Sequence, residues 1–412
     1  MASLRNAIWG NAMEDAEFEE AGDLIRTLTW HRARLLMIVA SLTGFGVIMV
    51  YSASAIRAAR GGGWEMAYAW NQVSWLGVAV VALTLLAWFP YRILSHFRYP
   101  ILLACYTLLA LVLTPLGTRV NGANRWFRFG GFNVQPSEIA KIGMIVVVAA
   151  ILARIPDGRP RFFRHVIPLC VICGVTVGLI GIEPDFGTAA LLACVMGVLM
   201  LGGGVRIWQF LLLITPVVPA AAWYGYTKFD YINHRIESWA AGEAFHTNVS
   251  KLAIGSGGVW GVGLGQGPAK LDYLPEAHTD FIFAMIGQET GLVGALSLIA
   301  LFAILVWQGL AIARNAPDRF GSLLAFGITA VIGGQAIFNM GVVTGLLPPK
   351  GISLPFVSFG GSGLVVFYSM IGLLVSITRG APEPVPVNKL LSKYGPVPKF
   401  EMAPRAVEEA GI

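Results

Sequence analysis

The chain has 412 residues, of which 56% are hydrophobic and only 13% charged, and its formal net charge is +6. Soluble domains carry about a quarter charged residues, so this composition excludes an ordinary soluble enzyme. The basic residues are dispersed over the polar connections instead of forming one stripe, which excludes a nucleic-acid surface.

Residues 1–30, with the acidic run Met13-Glu-Asp-Ala-Glu-Phe-Glu-Glu20, read as a cytoplasmic tail. Ten nearly uncharged runs follow, at 33–53, 71–90, 99–116, 138–154, 166–182, 187–202, 207–226, 281–313, 322–346 and 361–378. Each is long enough to cross ~30 Å of hydrocarbon as a helix. The predicted fold is therefore an all-α polytopic membrane protein of about ten helices. Residues 31–379 form one membrane domain, and the Pro-rich segment 380–412 forms a second tail. The first run has no small-residue cleavage site and reads as a retained span.

The arginines give the orientation. Arg26, Arg32 and Arg34 precede the first run, and Arg92 with Arg98 separates the second from the third. Arg154, Arg159, Arg161 and Arg164 follow the fourth, Arg314 and Arg319 follow the eighth, and Arg379, Lys389, Lys393 and Lys399 follow the tenth. With ten spans all of these fall on one side, so both termini are expected in the cytoplasm. Arg57 and Arg60, after the first run, stand against this pattern.

Two polar segments on the opposite side stand out. One is 117–138; the other is 228–280, about fifty residues and far longer than an ordinary connection. The longer one contains the glycine-rich run Ile254 to Gly267. It lacks the register and the preceding strand of a dinucleotide loop, and it predicts a tight loop or a backbone approach to a ligand. A third segment, 347–362, separates the last two spans on the same side. The eighth run is about 33 residues, roughly 50 Å as a helix. It must tilt, or its first turns must line a protein-walled cavity.

Four cysteines, Cys105, Cys170, Cys173 and Cys194, fall inside apolar runs and read as small packing residues. No zinc-ligand spacing, Walker sequence or Gly-x-Ser-x-Gly occurs. The ionisable residues within or beside the spans gather at the outer ends: Glu138 and Lys141, Glu183 and Asp185, Glu276, His278 and Asp280, Glu289, and Lys350. A proton-coupled carrier places such groups near the midplane, whereas an interfacial enzyme places them here. Each also has a structural reading. Glu138 and Lys141 can form an ion pair within one helix, Asp185 can cap a helix, and Asp280 can cap the eighth span. Arg125 and Lys350 can be interfacial anchors, or cations for a phosphate-bearing ligand.

Five blocks carry a resemblance. They are Asn121-Gly-Ala-Asn-Arg-Trp126, Gly131-Phe-Asn-Val-Gln-Pro-Ser-Glu-Ile-Ala-Lys141, Glu183-Pro-Asp-Phe-Gly-Thr188, Leu274-Pro-Glu-Ala-His-Thr-Asp-Phe-Ile-Phe-Ala284 and the segment Gly345 to Ser362. In this order they resemble the SEDS family (shape, elongation, division and sporulation). Glu276-Ala277 matches its division branch more than its elongation branch. Pro349, Phe359, Gly363 and Thr247-Asn-Val-Ser-Lys251 depart from the usual pattern.

The resemblance implies a peptidoglycan glycosyltransferase that polymerises lipid II at the outer face of the bacterial inner membrane, at the division septum. Its implied partners are a class B penicillin-binding protein that crosslinks the glycan, and other divisome membrane proteins. An elongation-type polymerase, a lipid II flippase and a non-catalytic scaffold are the alternatives. The chemistry needs one base, because pyrophosphate leaves readily while the acceptor hydroxyl is a poor nucleophile. Asp280 is the expected base, tuned by Glu276 and His278. Arg125 and Lys350, together with a divalent cation such as Mg or Mn, would offset pyrophosphate charge. Glu138, Lys141, Asp185, Glu289, Ser358 and Ser362 are expected in supporting roles.

Overall fold

Apolar runs in lipid must satisfy their own backbone, and they do so here as helices. A computed structural model describes residues 29–54, 66–120, 123–129, 132–156, 159–212, 215, 227, 230–267 and 277–380. Residues 1–28 and 381–412 of the expected tails, the greater part of the run 207–226, and Glu276 lie outside the described residues.

The helices are α1 (Thr29–Ser54), α2 (Ala67–Trp88), α3 (Arg98–Val112), α4 (Pro136–Ala153), α5 (Ile167–Ile182) and α6 (Phe186–Gly202). They continue as α7 (Asp230–Ala240), α8 (Phe245–Ser256), α9 (Ile282–Arg314), α10 (Arg319–Val343) and α11 (Gly361–Arg379). Among the described residues, seven helices are long and apolar enough to cross a membrane, α5 together with the turn at Phe162–Val166 among them; α3 and α6 are shorter apolar helices. These nine match nine of the ten runs read from hydropathy, and the tenth run, 207–226, is largely undescribed.

The helical bundle carries one small sheet at the polar segment 117–138. Thr118–Val120 (β1), Ala123–Phe129 (β2) and Phe132–Val134 (β3) form an antiparallel sheet in the order β1-β2-β3. Thr118 faces Trp126, and Phe127 faces Val134. The sequence carries a signal for it: Asn121-Gly122 and Gly130-Gly131 are two-residue hairpin dipeptides separated by a run rich in aromatic residues.

The bundle is built around α4, α10 and α11, whose residues are buried on most faces, while α2 and α5 expose most of theirs. α2 packs on α11, α3 on α4, α6 on α10, and α8 and α10 both pack on α9. Sequence punctuation sets the helix starts. Pro136 opens α4, where its missing N–H costs nothing. The Asp318 carboxylate caps α10, accepting the Gly321 N–H at 2.7 Å. All four cysteines are free thiols. The Sγ of Cys105 sits where a Cβ at Gly143 would stand, 2.4 Å away, so α3 and α4 approach closely.

Hydrogen bonds define two ends. At one, Arg92 pairs with Asp318 at 2.8 Å, Tyr91 donates to the same carboxylate, and Arg319 donates to the carbonyls of Ile155 and Gly203. The other end holds the sheet, α7, α8 and the segment between α10 and α11. There Trp239 Nε1 donates to the Gly345 carbonyl at 3.0 Å, and Ser250 Oγ donates to the Val343 carbonyl at 2.7 Å. The long polar segment is thus folded onto the end of α10.

The eighth run is not one continuous helix. Gly291, at φ +68°, interrupts α9, and the glycine-rich segment inserts at the break. Val262 and Gly263 donate to the carbonyls of Gln288 and Glu289, while Leu292 and Val293 donate to those of Gly258 and Val259. Backbone groups released by the break are therefore taken up by the inserted loop. Residues 281–289 are buried within the protein, which supports the cavity-side alternative for the first turns.

Candidate functional site

Asp280 lies in the turn that leads into α9. The capping position belongs to Phe281, which makes no side-chain cap bond, so Asp280 is not in the N-cap position. Its side chain is half-buried. A Cβ on Gly351 would stand 2.4 Å from Asp280 Oδ2, so the carboxylate lies directly against the backbone of the last polar segment. Only a residue without a side chain permits that approach.

The turn and the segment are stitched together. Ser358 Oγ donates to the Thr279 carbonyl at 2.6 Å and accepts the Leu354 N–H at 2.7 Å. The Phe359 N–H donates to the His278 carbonyl at 3.0 Å. Asn339 Nδ2, on α10, donates to the carbonyls of Asp280 at 2.8 Å and of Ile352 at 2.6 Å. From α2, Gln72 Nε2 donates to the Ser358 carbonyl and Gln72 Oε1 accepts the Gly360 N–H. His278 is buried against Tyr68 and Phe359, with ring centroids at 4.9 and 5.7 Å, which makes it a packing element of this turn.

Lys350, next to Gly351, lays its stem across the first turn of α6. A Cβ at Gly187 would meet Lys350 Cγ at 2.6 Å. Its ammonium pairs with Asp185 at 3.3 Å. Burial lowers the Lys350 pKa, and Asp185 opposes that shift. Asp185 accepts the Thr188 N–H at 3.5 Å as the cap of α6, and the Gln135 amide at 3.2 Å. Ser362 Oγ in turn accepts the Gln135 N–H at 3.3 Å.

Arg125 departs from its expected role of facing a ligand. Its Nε donates to the Glu183 carbonyl at 2.8 Å and its Nη2 to the Pro184 carbonyl at 2.6 Å, so it holds the turn between α5 and α6. Glu183 beside it is fully buried with neither carboxylate oxygen hydrogen-bonded. Burial, and then the nearby Asp185, push its pKa up to about 8, against the pull of Arg125.

Glu138 and Lys141 do form a buried ion pair, at 2.8 Å. Lys141 also donates to Gln335 Oε1 at 2.7 Å, and Gln335 Nε2 donates to the Ser353 carbonyl at 2.9 Å. The pair is thereby tied to the segment that carries Lys350 and Gly351. Glu289 stands apart, at the break in α9, where it accepts Ser52 Oγ and the Gly265 N–H at 3.1 Å. It fastens α1 and the inserted loop to α9.

The structure thus brings Asp280, His278, Lys350, Asp185, Ser358 and Ser362 to one end of the bundle. Glu138 and Lys141 lie beneath them, and Arg125 is a brace. Gln72, Gln335 and Asn339 were missed in the sequence. Their only signal there is a carboxamide in an otherwise apolar span. Among the described residues, no group of three or more His, Cys, Asp and Glu side chains could hold a metal ion.

The family described as "Cell cycle protein", which groups FtsW, RodA and SpoVE, matches residues 33–382. The chain belongs to this family, the SEDS proteins. This SEDS chain is FtsW-like: it is 37% identical over 358 residues to the "Probable peptidoglycan glycosyltransferase FtsW" of Geobacter metallireducens, covering 84% of this chain and 95% of the relative. It is 35% identical over 353 residues to the "Stage V sporulation protein E" of Bacillus subtilis, covering 84% and 96%. Among solved structures, a chain described under "Structural coordination of polymerization and crosslinking by a peptidoglycan synthase complex" superposes with a TM-score of 0.70 at 27% identity, over 84% of this chain and 96% of that one. The rod shape determining protein RodA of Thermus thermophilus gives 0.64 at 26% identity, over 85% and 97%.

Proposed function

We propose that this SEDS protein is a peptidoglycan glycosyltransferase in which Asp280 is the general base. Lipid II is the donor, and the growing glycan or a second lipid II is the acceptor. The observation that carries the assignment is the setting of Asp280: a half-buried carboxylate outside the capping position, pressed against Gly351 beside Lys350. A half-buried carboxylate at this turn can take the proton of the acceptor hydroxyl as that oxygen attacks the anomeric carbon. The bond to the pyrophosphate breaks as the new glycosidic bond forms, and the α-linked donor becomes a β-1,4 linkage. One base suffices, unlike the carboxyl pair of most glycosidases.

Lys350 supplies positive charge for the departing pyrophosphate. Asp185 holds the ammonium in place until the anion arrives, and Arg125 keeps the Glu183–Asp185 turn rigid. The arginine-rich end faces the cytoplasm and the Asp280 end faces outward, where a polyprenyl-linked sugar reaches the site from the bilayer. A class B penicillin-binding protein is the partner that crosslinks the product, and septal division is the setting that FtsW-like identity favours.

The test uses the full-length chain with its cognate penicillin-binding protein, held transpeptidase-inactive, and labelled lipid II. Wild type makes polymer. Asp280→Ala, equally folded and equally associated, loses about 10²–10⁴-fold in rate, the worth of a positioned general base. Comparable polymer from both would sink Asp280 as the base. Wild type that scrambles lipid II across liposomes without making polymer would replace the polymerase by a flippase.

A further inference from the structure

We infer that Asn339 is a positioning residue for Asp280, aiming the carboxylate by clamping its turn to the segment that carries Gly351. This rests on Asp280 being the base. The side-chain amide of Asn339 donates both of its hydrogens, one to the Asp280 carbonyl at 2.8 Å and one to the Ile352 carbonyl at 2.6 Å. It therefore joins two backbones 59 and 13 positions away in the sequence, at the residue of the base and at the residue after Gly351. Gly351 itself touches the carboxylate, because a Cβ there would stand 2.4 Å from Asp280 Oδ2. The clamp and the contact together set the distance between the carboxylate and the backbone it leans on.

Two further observations set Asn339 apart from an ordinary packing amide. It is 1% exposed, and its Oδ1 has no hydrogen-bond partner. An apolar helix carries this cost although a leucine would fill the same space, so the two donated bonds are what the position retains. Gln335 lies one turn earlier on the same face of α10 and donates to the next carbonyl of the segment, that of Ser353. Gln335 is also bound by Lys141, so α10 presents a ladder of two amides that fixes the segment on one side and the base on the other. Asn339 touches no reacting atom; it acts through Asp280.

The experiment measures kcat, KM for lipid II and the pH dependence of kcat for full-length wild type, Asn339→Leu, Gly351→Ala and Asp280→Asn, each normalised to folded protein. Asn339→Leu is expected to lower kcat about 10²-fold, the loss that a misplacement of about 1 Å brings. KM should stay within about threefold, because the amide makes no ligand contact. The ascending limb of the kcat profile should move, because the carboxylate changes surroundings. Gly351→Ala pushes on the same carboxylate from the other side and should give the same pattern; it decides the matter on its own where Asn339→Leu does not accumulate. An unchanged kcat and limb in Asn339→Leu, or in Gly351→Ala when that variant decides, overturns the inference: the amide is then a staple of the fold. An active Asp280→Asn overturns the base assignment itself, and the inference with it. An inactive Asp280→Asn beside a fully active Asn339→Leu overturns the inference alone.

Discussion

The break in α9 makes a graded prediction about four glycines. Gly291 has φ +68°, and a Cβ there would stand 2.3 Å from the Gly261 nitrogen and 2.4 Å from the Val259 oxygen. Gly258 has φ +55° with nothing within 4 Å, and Gly255 has neither a positive φ nor a neighbour. Alanine at Gly258 should thus cost only the left-handed conformation, about 1–2 kcal/mol. Alanine at Gly255, inside α8, should be neutral or stabilising by about 0.5 kcal/mol. Gly291, with ψ −167°, sits in an extended positive-φ region that essentially only glycine adopts, which costs about 1–3 kcal/mol, and a clash is added with backbone that cannot retreat while the loop stays inserted. The four inter-segment hydrogen bonds of Val262, Gly263, Leu292 and Val293 are then lost together, at about 1 kcal/mol each. The sum for Gly291→Ala is about 5–7 kcal/mol. Gly261→Ala, whose Cβ would stand 2.2 Å from the Glu289 oxygen at φ +83°, should behave like Gly291→Ala. Reversible unfolding of the full-length protein in mixed micelles ranks the four variants. A Gly291→Ala cost within about 1 kcal/mol of Gly258→Ala would refute the claim that the inserted loop replaces helical hydrogen bonds.

Two other outcomes follow from buried charge. Lys141→Met leaves the buried Glu138 side chain without its cation, and should destabilise by about 3–5 kcal/mol, with Glu138→Gln/Lys141→Met recovering much of the loss in the same unfolding assay. Glu183 has its pKa raised to about 8 from an ordinary value near 4.5, so the folded state holds its proton more tightly than the unfolded state. Its contribution is then fully present below about pH 4.5 and is lost as pH rises towards 8. Glu183→Gln should therefore gain stability relative to wild type across pH 5–8 and level off above it; a pH-independent difference would show that Glu183 does not titrate in this window.

Hydropathy made the bundle legible because lipid leaves a spanning chain little choice. A long apolar run has to satisfy its own backbone, so α1, α2, α4, α9, α10 and α11 were each visible as runs before any contact was known. The acids and Lys350 were visible for the complementary reason, since a charge beside such a run is conspicuous. The sheet β1-β2-β3 was not seen, because three-residue strands carry almost no periodic signal and only the hairpin dipeptides hint at them. The inserted loop was half-seen: the glycines announced a tight loop or an approach to a ligand, whereas the backbone that they approach is that of α9.

What the sequence determined alone is the membrane-spanning class, the family and the identity of the ionisable residues at one end. Tertiary structure decided what each of them does. Arg125 became a brace because two carbonyls at the α5–α6 turn come within its reach, and Glu289 became a fastener because α9 breaks two residues later. Asp280 stands outside the cap position because the helix starts one residue too late for it. Asn339 could not have been found from the sequence. A carboxamide has no charge to betray it in an apolar run, and the two carbonyls that it joins meet only when α9, α10 and the last polar segment pack together.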